Sequence, residues 1–229
     1  MSDTATSNEV VEEVPKQEGE EEIENGEAAQ ESSAQVNGDG DAATNEQNLH
    51  PLESAWDFWY LSSDKSKEWE ERMTKVMTFQ TVEDFWACYH HVTLPSKLSV
   101  GSDYMIFKAG IAPKWEDSKN EDGGKWVLET DKKFRCNVDG SWLETLLGCI
   151  GEGFEEGGEY INGAVVQIRK RVDRLQLWTA EIPEPTVAVS LGRQFKRKLN
   201  IPDGLKVKYN VHKDAITRKG STLAARHTV

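Results

Sequence analysis

The segment PKWEDSKNEDGGKW, residues 113–126, sets Trp115 beside two acids in a stretch rich in Lys, Asp, Asn and Gly. Nothing in it alternates or repeats at a helical period, so it reads as an exposed loop. An indole normally gains its stability by burial, and one on a loop with a carboxylate attached suggests a ligand. A second isolated indole, Trp69, stands in the polar stretch SSDKSKEWEE (62–71). Two indoles on separate mobile loops can close over the two faces of one flat ring. Such stacking is worth about 1–3 kcal/mol per base, and more when the ring is positively charged. Glu116 would then lie at the ring edge. A carboxylate only accepts, so it selects an edge that donates, and guanine offers N1–H and N2–H₂ side by side.

Phosphates call for cations, and QIRKRVDR (167–174) supplies them. Residues two apart on a strand share a face, which would put Arg169 and Arg171 in one row with Gln167 while Val166 and Ile168 face the other way. Arg174, just past the turn, can join them. Alone, such a row describes a solvated strand face. With Trp178 ending the next strand, two loop indoles and a lone carboxylate, it describes a reader of a cationic guanine nucleotide whose phosphates lie on the arginines.

The elements that must hold these residues are legible in part. AWDFWYL (55–61), DYMIFK (103–108) and KWVLE (125–129) read as strands, the last two flanking the Trp115 loop. TVEDFWACYHHV (81–92) reads as a helix capped by Thr81, with Val82, Phe85, Trp86 and Tyr89 at helical spacing. SWLETLLGCIGEGF (141–154) is an amphipathic helix stopped by Gly151 and Gly153. GAVVQIRKRVDRLQLWTA (163–180) gives two strands joined near Val172 and Asp173. TVAVSLGRQFKRKLN (186–200) is a helix with a basic outer face, and LKVKYNVH (205–212) a last strand. The expected class is α+β, an antiparallel-dominated sheet with helices on one face. Phe58, Trp59, Phe85, Trp126 and Trp142 read as core.

Charge divides the chain. The formal net charge is −13, and residues 1–49 carry 14 acids against the single base Lys16, which accounts for all of it. Residues 50–229 are balanced, with 26 acids and 26 bases. The acidic head has no aromatic residue and cannot bury enough apolar surface to offset its ordering entropy, so it is expected to be disordered. The remaining 180 or so residues suit one domain, 50–229. Three cysteines, Cys88, Cys136 and Cys149, show neither disulfide nor zinc spacing and read as reduced thiols. No apolar run approaches the ~20 residues of a membrane span, and a cytoplasmic protein with access to the nucleus is expected.

From His50 onward, the strings HPLESAWDFWY, DKSKEWEE, FQTVEDFWACYHHV, SDYMIFKAGIAPKWEDSKNEDGGKW, WLETLLGCIGE and GAVVQIRKRVDRLQLWT resemble the cap-binding translation initiation factor 4E family in order and spacing. The resemblance implies a curved antiparallel sheet backed on its convex face by three helices, with the 7-methylguanosine cap of messenger RNA in the concave cleft. Trp69 and Trp115 then match the stacking pair, Glu116 the carboxylate on the guanine edge, and Trp178 the residue at the methyl group. Arg169 and Arg174 match phosphate ligands, and Arg171 a neighbouring base. Lys125 stands where Arg is usual, keeping the charge but losing the planar fork. Trp56 and Trp69 are both Trp, which favours the initiator class over cap-binding repressors of the same fold.

The resemblance implies a second surface as well. His50, Pro51, Val82, Trp86, Leu143, Glu144 and Gly151 match the patch that receives a Tyr-x-x-x-x-Leu-Φ helix from the scaffold initiation factor or from competing repressors. Val82 and Trp86, four apart, share a helix face suited to such a helix. Ser221 matches a regulatory phosphorylation site. No cofactor, metal or catalytic residue is expected, because the phosphate side is basic and offers no acid cluster for Mg²⁺. The ligand is the cap or 7-methyl-GTP, and the chain is expected to be a monomer on its own.

Overall fold

The computed structural model describes residues 49–131, 138–217 and 225–229. Eight strands form one sheet in which every pairing is antiparallel. They are β1 (Pro51–Leu61), β2 (Met73–Thr81), β3 (Asp103–Lys108), β4 (Gly124–Asp131), β5 (Ile161–Gln167), β6 (Val172–Thr179), β7 (Val207–Val211) and β8 (His227–Thr228). Their order across the curved sheet is β2-β1-β3-β5-β6-β4-β7-β8.

Alternation along the strands, interrupted by register shifts between β1 and β2 and at the start of β5, sorts side chains to two faces. Trp56 and Phe58 of β1, Ile106 of β3, Val166 of β5 and Leu175 and Leu177 of β6 share one buried cluster with Trp126 and Leu128 of β4. Three helices close over that cluster: α2 (Val82–His91), α3 (Val138–Ile150) and α4 (Pro185–Lys198). The residues between them on the strands face the other way, onto what we call the open face. There Leu61, Met105, Phe107, Val165 and Trp178 form a second, smaller cluster, with Trp59 packed against it. Trp59 is therefore not part of the main core.

Local chemistry sets the helix ends. The Thr81 hydroxyl caps α2 by accepting from the Asp84 N–H at 3.1 Å. Helix α3 begins at Val138, earlier than the sequence pattern suggests, and stops at Ile150. Beyond Gly151 the left-handed residue is Glu152 (φ 48°), not a glycine. Helix α4 rests on the Trp126 ring through Gly192, where a Cβ would lie 2.4–2.5 Å from three indole carbons. Only glycine permits that approach.

Two expectations change. The one-turn helix α1 (Trp69–Arg72) begins in the stretch 62–71 that reads as polar, and strand β2 follows in residues to which the sequence pattern assigns no element. Most of β2 is solvent-exposed on the sheet edge, so no apolar alternation announces it. The connection between β5 and β6 spans residues 168–171, before Val172 rather than at it. Arg169 and Arg171 accordingly sit on the turn and do not form a strand row with Gln167. A short helix α5 (His212–Thr217) follows β7.

Candidate functional site

A cleft of about 370 Å³ opens on the face away from the helices, and Trp69, Trp115, Glu116, Lys125 and Trp178 all line it. Trp69 and Trp115 are 40% and 43% exposed, unusual for indoles, whereas Trp178 on the cleft floor is 7% exposed. Each comes from a different segment: α1, the 112–123 loop, and the end of β6.

Both exposed indoles sit on closed, braced loops. At the base of the first, Ser62 N–H donates to Arg72 O at 2.9 Å, and Arg72 Nε donates to Ser62 O at 2.8 Å. Trp69 opens the helical turn inside that closure. In the second loop, the Asp117 carboxylate accepts from the Ala112 and Lys119 N–H groups, each at 2.9 Å. The fully buried Asn120 amide donates to the Ala112 and Lys114 carbonyls at 3.0 Å and is itself held by Asn162. The loops touch once, where Lys114 Nζ lies 3.7 Å from Glu70 Oε1. Trp115 is thus held on a braced loop and not a mobile one. The carboxylate of Glu116 has no hydrogen-bond or ionic partner among the described residues.

A polar chain runs along the floor. The Trp178 indole N–H donates to Gln176 Oε1 (2.9 Å), Gln176 Nε2 donates to Gln167 Oε1 (2.8 Å), and Gln167 Nε2 donates to Asp103 Oδ2 (3.0 Å). Arg169 closes it, with Nη2 donating to the same Asp103 oxygen at 2.9 Å and Nη1 paired with the other. Arg169 also donates from its backbone N–H to Asp173 Oδ1 at 2.9 Å, which fixes the turn. The buried Asp103 thereby holds the guanidinium at the cleft end.

The remaining cations are placed differently. Arg174 lies on β6 opposite Glu129 of β4, and Arg174 Nε pairs with Glu129 Oε1 at 2.9 Å. Lys125 Nζ sits 4.9 Å from the Trp178 ring centroid. Burial, with Arg174 adding repulsion, lowers the Lys125 ammonium to about 8. Arg171 is exposed on the turn and makes no ion pair among the described residues. Behind Trp178, the His212 ring packs at 4.4 Å between centroids. Burial, reinforced by Lys125, pulls that imidazole down to about 3, so it is neutral.

Sequence reasoning missed Asp103, Gln176 and the contact of His212 with Trp178. An Asp opening an otherwise apolar strand was the available signal for the first. For Gln176 the partners Trp178 and Gln167 are near in sequence, but a Gln between two Leu on a strand does not announce a hydrogen-bond chain; His212 is 34 residues from Trp178 and nothing local marks it.

On the helix side, the His50 carbonyl accepts from Val82 N–H at 2.9 Å, tying the entry of β1 to the start of α2. His50 Nδ1 and the Glu83 carboxylate lie 2.7 Å apart, which holds the Glu83 carboxyl well below its usual range. Pro51 opens β1, and Val82 is exposed. Trp86 is half-buried, edge-on to Phe85 at 5.0 Å and stacked on His90 at 5.5 Å. Leu143 is half-buried and Glu144 exposed on α3, with Gly151 just past its end. Cys88 and Cys149 are free and buried. Ser221, Cys136 and residues 1–48 lie outside the described residues. Among the described residues no group of three or more His, Cys, Asp or Glu could hold a metal ion, and no helix is long and apolar enough to cross a membrane.

The family described as "Eukaryotic initiation factor 4E" matches residues 51–226. Eukaryotic translation initiation factor 4E-3 of Caenorhabditis elegans is 44% identical over 181 residues, 77% of this chain and 72% of its own. The human initiation factor 4E is 41% identical over 181 residues, 79% of this chain and 83% of its own. Among solved structures, Ascaris suum eIF4E-3 with m7G cap superposes with a TM-score of 0.74 at 44% identity, covering 79% of this chain and 98% of that one. The complex of C. elegans eIF4E-3 with the 4E-binding protein Mextli gives 0.73 at 40% identity, covering 79% and 99%. With the family model matching residues 51–226 and relatives above 40% identical over most of both chains, the chain belongs to the eukaryotic initiation factor 4E family.

Proposed function

We propose that this chain binds the 7-methylguanosine cap of messenger RNA in the open-face cleft and recruits a scaffold initiation factor through its helix side to start cap-dependent translation. One observation carries the cap assignment: Trp69, the adjacent Trp115 and Glu116, and Trp178, from three separate segments, line a single cleft. Methylation at N7 makes guanine cationic, so both ring faces are drawn to the indole π-clouds more strongly than those of unmethylated guanine. Glu116, with no partner of its own, takes the N1–H and N2–H₂ donors and adds a favourable charge. Trp178 lines the floor at the methyl group. Arg169, Arg174 and Lys125 take the phosphates, with Arg171 nearby on the turn.

For the second surface, Val82 and Trp86 present apolar area on α2, Leu143 adds to it from α3 with Glu144 beside it and Gly151 just past the helix end, and His50 and Pro51 complete the set. A short amphipathic Tyr-x-x-x-x-Leu-Φ helix suits it. Relatives are named as complexes with cap and with 4E-binding proteins, which supports both halves. We further read the chain as a non-catalytic, cytoplasmic protein with access to the nucleus. Its acidic head, 1–49, is taken as separate from a 50–229 domain, and Ser221 as a phosphorylation site.

Retention of the purified chain on 7-methyl-GTP resin tests the cap assignment. Release by 7-methyl-GTP but not by GTP is expected, and equal release by both would refute discrimination by charge.

A further inference from the structure

Beyond the cap cleft, the open face continues onto β7. Val207 and Tyr209 point into the helix-side core, so Lys208 and Asn210 project on the open face, in register with Val127 and Lys125 of β4. Lys206, just before the strand, lines the same surface, a second cleft of about 640 Å³ that shares Lys125 with the first and reaches Arg174. Charge on this surface is uneven. Arg169 is matched by Asp103 and Arg174 by Glu129. Lys206 and Lys208 are exposed and form no ion pair among the described residues.

We propose that Lys206 and Lys208 bind the ribose-phosphate backbone of the first nucleotides downstream of the cap, extending the cap site along β7; this rests on the cap reading above. Continuity and charge favour RNA as the occupant. With guanine between the indoles and its phosphates at Lys125 and Arg174, the rest of the message must leave along a surface that joins that end of the cleft. Two lysines two positions apart are spaced by about 6.6 Å along the strand, comparable with successive phosphates of an extended single strand. Val127 and Leu205 flank the two lysines and the amide of Asn210 lies further along, beside Lys125, so the lysine contact itself is to the phosphate backbone, which carries no sequence information.

The test measures binding of 7-methyl-GTP, a capped hexanucleotide and the same hexanucleotide uncapped, at low and high salt. The full-length chain is compared with its Lys206→Gln/Lys208→Gln variant, whose changed residues are exposed. Wild type should bind the capped hexanucleotide about five- to tenfold tighter than 7-methyl-GTP at low salt. The variant should bind 7-methyl-GTP as wild type does but lose that advantage, with a salt dependence shallower by about 1.4 in logarithmic slope. A variant that keeps the advantage overturns the proposal. So does one that loses affinity for 7-methyl-GTP equally, since the lysines would then belong to the cap phosphates. Tighter hexanucleotide binding by the variant would instead assign the lysines to an acidic protein segment that RNA must displace, and would also overturn it. Failure of wild type to bind 7-methyl-GTP at all would remove the cap reading itself.

Discussion

Trp178 and Gln176 lie two residues apart on β6, and the indole N–H donates to the amide oxygen at 2.9 Å. That single bond fixes the direction of the whole floor chain. An indole can only donate and a carboxylate can only accept. Gln176 must therefore present its oxygen to Trp178 and its nitrogen to Gln167, and Gln167 must pass the same polarity on to Asp103. The base-reading end and the phosphate end of the cleft share one oriented network. Gln176→Leu should leave the buried indole N–H unsatisfied and cost about 1–3 kcal/mol of stability. Its affinity loss should be larger for 7-methyl-GTP than for 7-methylguanosine, because Arg169 loses support. Equal losses for the two ligands would mean that the chain does not reach the phosphates.

Removing either exposed indole, by Trp69→Ala or Trp115→Ala, should weaken 7-methyl-GTP binding by about 1–3 kcal/mol or more. Thermal stability should hardly change, because neither side chain belongs to either buried cluster. Titration calorimetry beside thermal melts separates the two effects.

Lys125 offers a pH signature. Its ammonium sits at about 8 instead of 10.5, so it loses its charge in a window where arginine keeps its own. Cap affinity should fall faster between pH 7.5 and 9 (roughly the span of that titration) for wild type than for Lys125→Arg. Taking the ratio of the two proteins cancels the ligand's own titration. A pH-independent ratio would exclude Lys125 from the phosphate site.

Acid should weaken the fold through His212. Its pKa is about 3 when folded and 6.5 when exposed, so the unfolded chain binds the extra proton between those values. Stability from the neutral imidazole is fully present above pH 6.5 and declines as pH falls toward 3. At pH 5 the loss is about 2 kcal/mol. The fall in unfolding free energy between pH 7 and pH 5 should be smaller by about that amount in His212→Gln, read from denaturant titrations.

On the other side of the sheet, Trp86→Ala should abolish binding of a Tyr-x-x-x-x-Leu-Φ peptide while leaving 7-methyl-GTP affinity unchanged. A stability cost of about 1–2 kcal/mol accompanies it, since the ring is half-buried against Phe85 and Tyr89. Loss of both ligands together would show that the substitution unfolds the domain.

How far the sequence discloses this fold depends on where burial is two-sided. β3, β5 and β6 carry apolar residues on both faces of the sheet, and their runs stand out. β2, on the exposed edge, carries Thr74, Lys75, Val76 and Thr78 in the open and gives no such signal. Asp173 reads as a turn residue, yet it is buried in β6, with its carboxylate folded back onto the Arg169 N–H. A local pattern cannot distinguish an Asp that makes a turn from one that supports a turn from outside it. Trp69 and Trp115 were legible because exposed indoles have no local structural use, and Glu116 because it is attached to one of them, whereas the buried Trp178 was placed by the family resemblance. Asp103 and Gln176 were not read, because the chain that joins them passes through Gln167 and Arg169 on the neighbouring strand and turn.

The uneven exposure of the indoles has an optical consequence. Trp56, Trp126 and Trp142 are almost wholly enclosed, while Trp69 and Trp115 are the two in greatest contact with water. Water-exposed indoles emit at longer wavelength than enclosed ones. A ligand that covers Trp69 and Trp115 therefore dims the red side of the emission band selectively and leaves the blue side lit by the interior. Occupancy of the cleft should appear as a loss of intensity together with a blue shift of the maximum, whereas a peptide on the half-buried Trp86 should produce a smaller shift. The native chain thus distinguishes occupants of its two faces by colour, without any attached dye.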